Sequence, residues 1–279
     1  MELLNLPILT FYAVIIIIVI SIRAFKDKVL FERYQLSTEG ILVQKMYFKY
    51  LYSGFIHLNP LHLVFNSIAL ISFGMAVEME LGKLGFLSIF FGSIISGSLF
   101  AIYNNRFNPH YVAIGASGGI SGLITAYALI HANAGVSFFF IPFSIPAWIF
   151  CILALLISYN GVNQKHTGVC HEGHIAGAAF GYFSGVAINL YRGNFPALET
   201  LSIGFVFLMI TAHYYYKWSL YINSDIKEII TKIKTTIGKI KSEKREREMD
   251  MILEKISQNG IKSLSFLEKK RLAKYSTAK

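Results

Sequence analysis

Ser117 stands in Gly115-Ala116-Ser117-Gly118-Gly119, at the head of a stretch apolar enough to cross a bilayer. His174 stands in Gly173-His174-Ile175-Ala176-Gly177, at the head of another. Polar side chains inside a membrane span are costly unless they are paired or functional. A serine hydroxyl is a weak nucleophile until a base takes its proton, and neutral histidine can take it near pH 7. A hydroxyl and an imidazole at equivalent depths on two spans point to a Ser–His dyad, and so to hydrolysis carried out inside a membrane. Glu78 and Glu80 lie at the far end of another span, so the spans offer no acidic third member.

Small residues are spaced to bring the two helices together. Gly118 and Gly122 are four apart after Ser117. Gly177 and Gly181, followed by Gly185, repeat the spacing on the face of His174. Such stripes let helix backbones approach closely, and membrane helices use them for plain packing as well. A tetrahedral intermediate also needs donors aimed at its oxyanion. Ser117 opens a helix, where backbone N–H groups lack intrahelical partners. His57, His62 and Asn66 form His-x4-His-x3-Asn in an earlier span; His62 and Asn66 share a helix face and offer side-chain donors. Taken alone, that pair also reads as polar glue between helices. His171-Glu172-Gly173-His174 raises a metal reading, but the zinc-protease helix carries its histidines four apart around a Glu, and here they are three apart. No metal and no cofactor is expected.

The elements that must position these residues are membrane helices. Of 279 residues, 54% are hydrophobic, and the apolar residues come in blocks of roughly 20, the span of a ~30 Å hydrocarbon core. Candidate spans are 6–24, 59–79, 84–103, 113–132, 139–159, 173–191 and 199–219. Such runs exclude an ordinary soluble core. The first is followed by Arg23-Ala24-Phe25-Lys26-Asp27-Lys28 rather than a small-residue cleavage site, so it does not read as a signal peptide. Residues 25–58 form a long connection rich in charge and tyrosine, expected to lie partly in the interface. Cys151 and Cys170 are isolated and read as packing residues.

The net charge of +10 is uneven: residues 223–279 hold 15 Lys and Arg against eight Asp and Glu. Ile226, Ile229, Ile230, Ile233, Ile237 and Ile240 recur at three and four among lysines, which predicts a basic amphipathic helix for an anionic lipid surface or a protein partner rather than for nucleic acid. Lys241–Arg247 reads as a solvated stretch, Asp250–Gln258 as a short helix, Asn259-Gly260 as a turn, and Ser265 with Glu268 as a capping box opening a final helix.

Together these motifs resemble those of the rhomboid intramembrane serine proteases: Gly-Ala-Ser-Gly at 115–118, His174 with Gly177 and Gly181, His-x4-His-x3-Asn at 57–66, and Glu78 with Gly82, in matching order over about residues 1–195. The resemblance implies an all-α, polytopic membrane helix bundle. Residues 1–198 would form a six-helix core, 199–222 a seventh span and 223–279 a helical basic tail. It implies cleavage of transmembrane protein substrates, entering sideways from lipid, in or near their spans. Ser117 would be the nucleophile and His174 the base. His62, Asn66 and the Ser117 N–H would form the oxyanion hole, and Gly115, Gly118, Gly122, Gly177 and Gly181 would pack at the site. The expected setting is a bacterial inner membrane. Two positions depart from the pattern: Ser121 stands where many members carry an aromatic ring, and Tyr47-Phe48-Lys49-Tyr50 stands where many carry Trp-Arg. Lysines and arginines favour the mouth-side loops, Lys165 among them, which by charge alone puts the mouth in the cytoplasm; the family implies the outside. Two other classes fit the residues less well. An inactive rhomboid-like binder would usually lack Ser or His, and a transporter using the intramembrane histidines leaves the Gly-Ala-Ser-Gly element unexplained.

Overall fold

The computed structural model describes residues 6–137, 144–162, 169–263 and 265–276. Positions 139–143 of the fifth expected span, Lys165, and the side chains of Ile226 and Ile229 lie outside the described residues. The chain is an all-α, polytopic membrane helix bundle and divides into two compact units, Met1–Thr211 and Ala212–Lys279.

In the first unit α1 (Ile8–Lys26) is the first span. The connection after it folds onto the bundle as α2 (Lys28–Tyr34), β1 (Leu36–Ser37), α3 (Thr38–Leu42) and α4 (Lys49–Tyr52). Tyr34 stacks on Tyr52 with ring centroids 5.6 Å apart, and Phe48 packs edge-on against both. Lys49, buried here, donates to the Glu32 carbonyl; burial holds its ammonium pKa below the ordinary lysine value.

Asn59 caps α5 (Pro60–Ala69), accepting from the His62 N–H, with proline at the first helical position. A wide turn over Leu70–Gly74 leads into α6 (Met75–Asn104). Gly82, at φ 72° and ψ 179°, divides that helix into the end of one span and the whole of the next, a conformation that glycine adopts freely. Just before this turn Glu78 accepts the N–H groups of Leu9 and Thr10 and the Thr10 hydroxyl, at 2.7–3.0 Å. The buried carboxylate thus satisfies orphan donors in the first turn of α1 and locks two spans together.

β2 (Val112–Ala113) pairs antiparallel with β1, Leu36 opposite Ala113 and Ser37 opposite Val112. α7 (Ser117–Ile130) follows, then β3 (Gly135–Val136) and β4 (Ile145–Pro146), then α8 (Ala147–Gly161) and α9 (His171–Tyr191). α7 therefore starts four residues later than the expected span 113–132. The Gly115 N–H donates to the Ser53 carbonyl and the Ala116 N–H to His57 Nε2, so neither joins a helix ladder and the helix starts only at Ser117. Fourteen residues rise only about 21 Å, short of a ~30 Å core, so the helix can begin inside the membrane. α8 likewise begins at Ala147, later than 139.

Leucine, isoleucine and phenylalanine, with Cys151, fill the core: Ile17, Leu70, Phe86, Phe90, Ile120 and Leu123 between α1, α6 and α7, and Leu129, Cys151, Leu155 and Ile203 beside α8 and α9. The outside is equally apolar, with Phe11, Ile15, Phe65, Ile68, Phe183 and Phe205 exposed. Apolar groups both inside and outside suit lipid as the solvent.

α10 (Ala197–Asn259) begins with Ala197–Leu220, long and apolar enough to cross a membrane, and runs through the exposed stretch 241–247 into residues 250–258, which are the end of this helix rather than a separate short one. That stretch mixes both signs, and Arg247 reaches Glu243 at 3.9 Å in an i,i+4 pair, which is compatible with helix. In the second unit Gly260, at φ 70°, ends α10. α11 (Phe266–Ser276) opens with the expected box: the Ser265 N–H donates to Glu268 at 2.7 Å and the Glu268 N–H to Ser265 Oγ at 3.3 Å. Lys255–Glu268 and Arg271–Glu248 contacts, at 3.0 and 3.2 Å, hold α11 against the end of α10.

Candidate active site

Ser117 is the first residue of α7 and His174 lies in the first turn of α9. Their side chains meet: His174 Nε2 is 2.6 Å from Ser117 Oγ. What brings them together is the α7–α9 seam. A Cβ added to Gly177 would strike the Gly118 carbonyl, and one added to Gly181 the Gly122 carbonyl. Only hydrogen fits at these positions, so the backbones touch just below the Ser–His pair. Gly122 also receives Ser93 of α6 against its Cα.

Gly115 performs a different service. Its φ is 110°, where side chains other than glycine's are strained. A Cβ there would lie 2.9 Å from His62 Cε1, 3.2 Å from its Nε2 and 3.8 Å from Ser117 Oγ. The bare Cα thus lets the His62 ring lie beside the serine hydroxyl. The Leu58 N–H points at His62 Nδ1 at 3.5 Å, which leaves the ring hydrogen on Nε2. Asn66 sits one turn further along α5, buried, with its amide donating to the His62 carbonyl at 3.0 Å. The structure thus groups Ser117, His174 and His62 around Gly115, while the Asn66 amide is engaged by its own helix. At the start of α7 the first intrahelical bond runs from the Ile120 N–H to the Ala116 carbonyl, so the Ser117 and Gly118 N–H groups precede the helix ladder.

In the sequence His57 has no task beyond opening the His-x4-His-x3-Asn run. The structure supplies one. His57 is fully buried; its Nδ1 lies 3.0 Å from Ser21 Oγ, which in turn donates to the Phe55 carbonyl. With Nδ1 as donor, Nε2 accepts the Ala116 N–H at 3.5 Å. One imidazole therefore ties α1 and the loop before α5 to the residue preceding Ser117. Its place at the head of the His-x4-His-x3-Asn run was the only sequence signal.

Glu172, in the metal reading, accepts from Asn104 and Asn105 at 3.4 and 3.2 Å. Cys170, ahead of α9, touches the Tyr111 hydroxyl at 3.3 Å, and burial pushes its thiol up to about 11, so it stays protonated at neutral pH. A cavity of about 20 Å³ adjoins Ser117, lined by Ser53, Gly97, Ser98, Gly115, Gly118 and Gly173 among others. At the opposite end of the bundle Arg192 pairs with Glu80 at 2.6 Å, with His131 at 3.9 Å from the same carboxylate.

Comparison with known proteins adds a family to this geometry. The Rhomboid domain model matches residues 44–190. A second model, a family of unknown function (DUF6576), matches residues 239–278. Among curated proteins, the chain is 27% identical over 177 residues to rhomboid protease GluP of Bacillus subtilis, covering 63% of this chain and 33% of that protein. It is 26% identical over 136 residues to rhomboid protein 1, mitochondrial, of Saccharomyces cerevisiae, covering 48% and 39%. It is 28% identical over 172 residues to rhomboid protease AarA of Providencia stuartii, covering 55% and 58%. The chain thus spans between a third and somewhat over half of these relatives' length.

Proposed function

The chain belongs to the rhomboid family of intramembrane serine proteases, and we propose that it is an active endopeptidase cutting other membrane proteins in or near their transmembrane segments. The single observation that carries the reading is the 2.6 Å approach of His174 Nε2 to Ser117 Oγ at the head of a helix too short to span the core.

In the proposed reaction Ser117 Oγ attacks the substrate carbonyl carbon while its proton passes to His174 Nε2. The tetrahedral oxyanion is met by the Ser117 N–H and by His62 Nε2–H; Asn66 contributes its remaining amide hydrogen or, through the His62 carbonyl, steadies that residue. His174 returns the proton to the leaving amine. A water, deprotonated by the same imidazole, then attacks the acyl-enzyme and releases Ser117. A substrate must expose a backbone carbonyl to be cut, so helix-weakening residues near the scissile bond are expected. The cavity of about 20 Å³ beside Ser117 favours a small residue before the cut.

The proposed division is a core of residues 1–198, a seventh span over 199–222 and a tail of 223–279 whose surplus of Lys and Arg meets an anionic lipid surface. A bacterial cell membrane is the proposed location, supported by the Bacillus and Providencia matches beside the mitochondrial one.

The test is a fluorophosphonate probe together with a transmembrane model substrate, applied to wild type, Ser117→Ala and His174→Ala in detergent. Labelling and cleavage by wild type alone is the expected result. Cleavage retained by Ser117→Ala refutes the mechanism; a folded wild type that neither labels nor cleaves favours a non-cleaving membrane-protein binder.

A further inference from the structure

His174 is contacted on both ring nitrogens. For Nε2 to accept the Ser117 proton, the ring hydrogen must sit on Nδ1. The atom facing Nδ1 is Ser158 Oγ of α8, at 3.3 Å. Ser158 is buried, 6% exposed.

The packing of α8 on α9 makes this contact systematic rather than incidental. A Cβ on Gly161 would strike the His171 ring, so that ring lies over the glycine. The two helices run antiparallel. Stepping three residues back along α8 and three forward along α9 brings Ser158 level with His174. The hydroxyls of neighbouring spans behave differently. Ser121, Thr125 and Ser184 each donate to the carbonyl four residues earlier, at 2.8, 2.9 and 2.8 Å, the ordinary resort of a helix hydroxyl in an apolar medium. Ser158 turns to the imidazole instead. With Ser121 turned back on the Ser117 carbonyl, a cavity of about 20 Å³ separates it from Ser158 and His174. The α7 side therefore leaves the imidazole room to tilt, and the polar restraint on its far edge comes from α8.

Resting on the dyad proposed above, we infer that Ser158 is a positioning residue for His174: its Oγ accepts the Nδ1–H, selects the tautomer with Nε2 free, and stabilises the imidazolium formed when Ser117 gives up its proton. Ser158 touches no reacting atom, so its effect belongs in turnover and not in substrate capture.

Ser158→Thr and Ser158→Val have nearly the same shape and differ in the hydroxyl. Both are purified alongside wild type, their reactive sites counted by end-point fluorophosphonate labelling, and kcat and KM measured on a transmembrane model substrate. Ser158→Val should lower kcat about two- to tenfold, the worth of one neutral hydrogen bond, with KM unchanged, and Ser158→Thr should retain wild-type turnover. Equal rates for Thr and Val, or a change confined to KM, overturn the inference while leaving the dyad intact if Ser117→Ala is dead. Should wild type itself not turn over, the dyad reading fails, and the imidazole ¹⁵N shifts of His174 decide the contact: Nδ1-protonated in wild type and Thr but mixed in Val supports it, and one tautomer in all three overturns it.

Discussion

Replacing Gly177 with alanine tests how far the Ser–His contact depends on the seam beneath it. The new methyl would land on the Gly118 carbonyl. A carbonyl is backbone and cannot rotate out of the way, so α7 and α9 must part, by roughly 1 Å to restore an ordinary carbon–oxygen contact. Gly118 follows Ser117 directly and Gly177 lies one turn after His174, so nearly all of that displacement enters the dyad. A separation that starts at 2.6 Å and grows by about 1 Å is no longer a hydrogen bond. A misplacement of this size costs on the order of 10²-fold in rate, and overpacking a close interface costs about 1–3 kcal/mol of stability. Gly185→Ala is the control on the same face: its neighbours are the Leu129 side chain, at 3.0 Å, and the Ala126 Cα, at 3.5 Å, and a leucine can yield. Probe-labelling rates, cleavage of a transmembrane model substrate and thermal midpoints in detergent are measured for Gly177→Ala, Gly181→Ala and Gly185→Ala. Activity should fall most at 177, less at 181 and least at 185. Gly177→Ala cleaving at the wild-type rate, or Gly185→Ala losing as much, would refute the argument that the seam sets the dyad distance.

Three further outcomes follow from the same contacts. His62→Ala should reduce kcat by about 10²–10³ with little change in thermal midpoint, as loss of one oxyanion donor does; an unchanged kcat removes His62 from the site. Glu78→Ala should destabilise the bundle by about 1–3 kcal/mol for each buried donor left without its acceptor, read as a lower thermal midpoint with the labelling rate per folded molecule preserved. In the tail, the Ser265 N–H and the Lys255 ammonium hold the Glu268 carboxyl down to about 2. A depressed carboxylate stabilises fully above its ordinary value near 4.5 and loses that contribution as pH falls towards 2. Carboxyl chemical shifts should therefore place the Glu268 titration near 2, and a midpoint above 4 would show that the capping box is not formed.

Much of this was legible before folding, and for definite reasons. Spans are written as uninterrupted apolar runs because lipid accepts nothing else, so α1, the two apolar segments divided by Gly82 and the start of α10 announce themselves as long and apolar enough to cross. Ser117, His174, His62 and the glycine stripes stand out because polar and very small residues in such runs require a reason. Ser265 and Glu268 are three apart in sequence, so their reciprocal bonds follow from local geometry alone.

What tertiary structure decided were contacts between residues far apart in the chain. The start of α7 at Ser117 depends on the β1–β2 pairing and on the donors taken by Ser53 and His57, none of which local pattern encodes. The return of the Asn66 amide to the His62 carbonyl is one of several rotamers open to it. The stretch 241–247 is solvent-exposed, as its charge implies, yet helical, so 250–258 is the end of α10 rather than a helix of its own. Ser158 was one more serine on a span until the α8–α9 register set it against His174. Sequence alone determined which residues could perform the chemistry, because hydrophobicity and spacing are properties of the chain. The distances, tautomers and partners at which they meet belong to helix packing, which exists only once the bundle has formed.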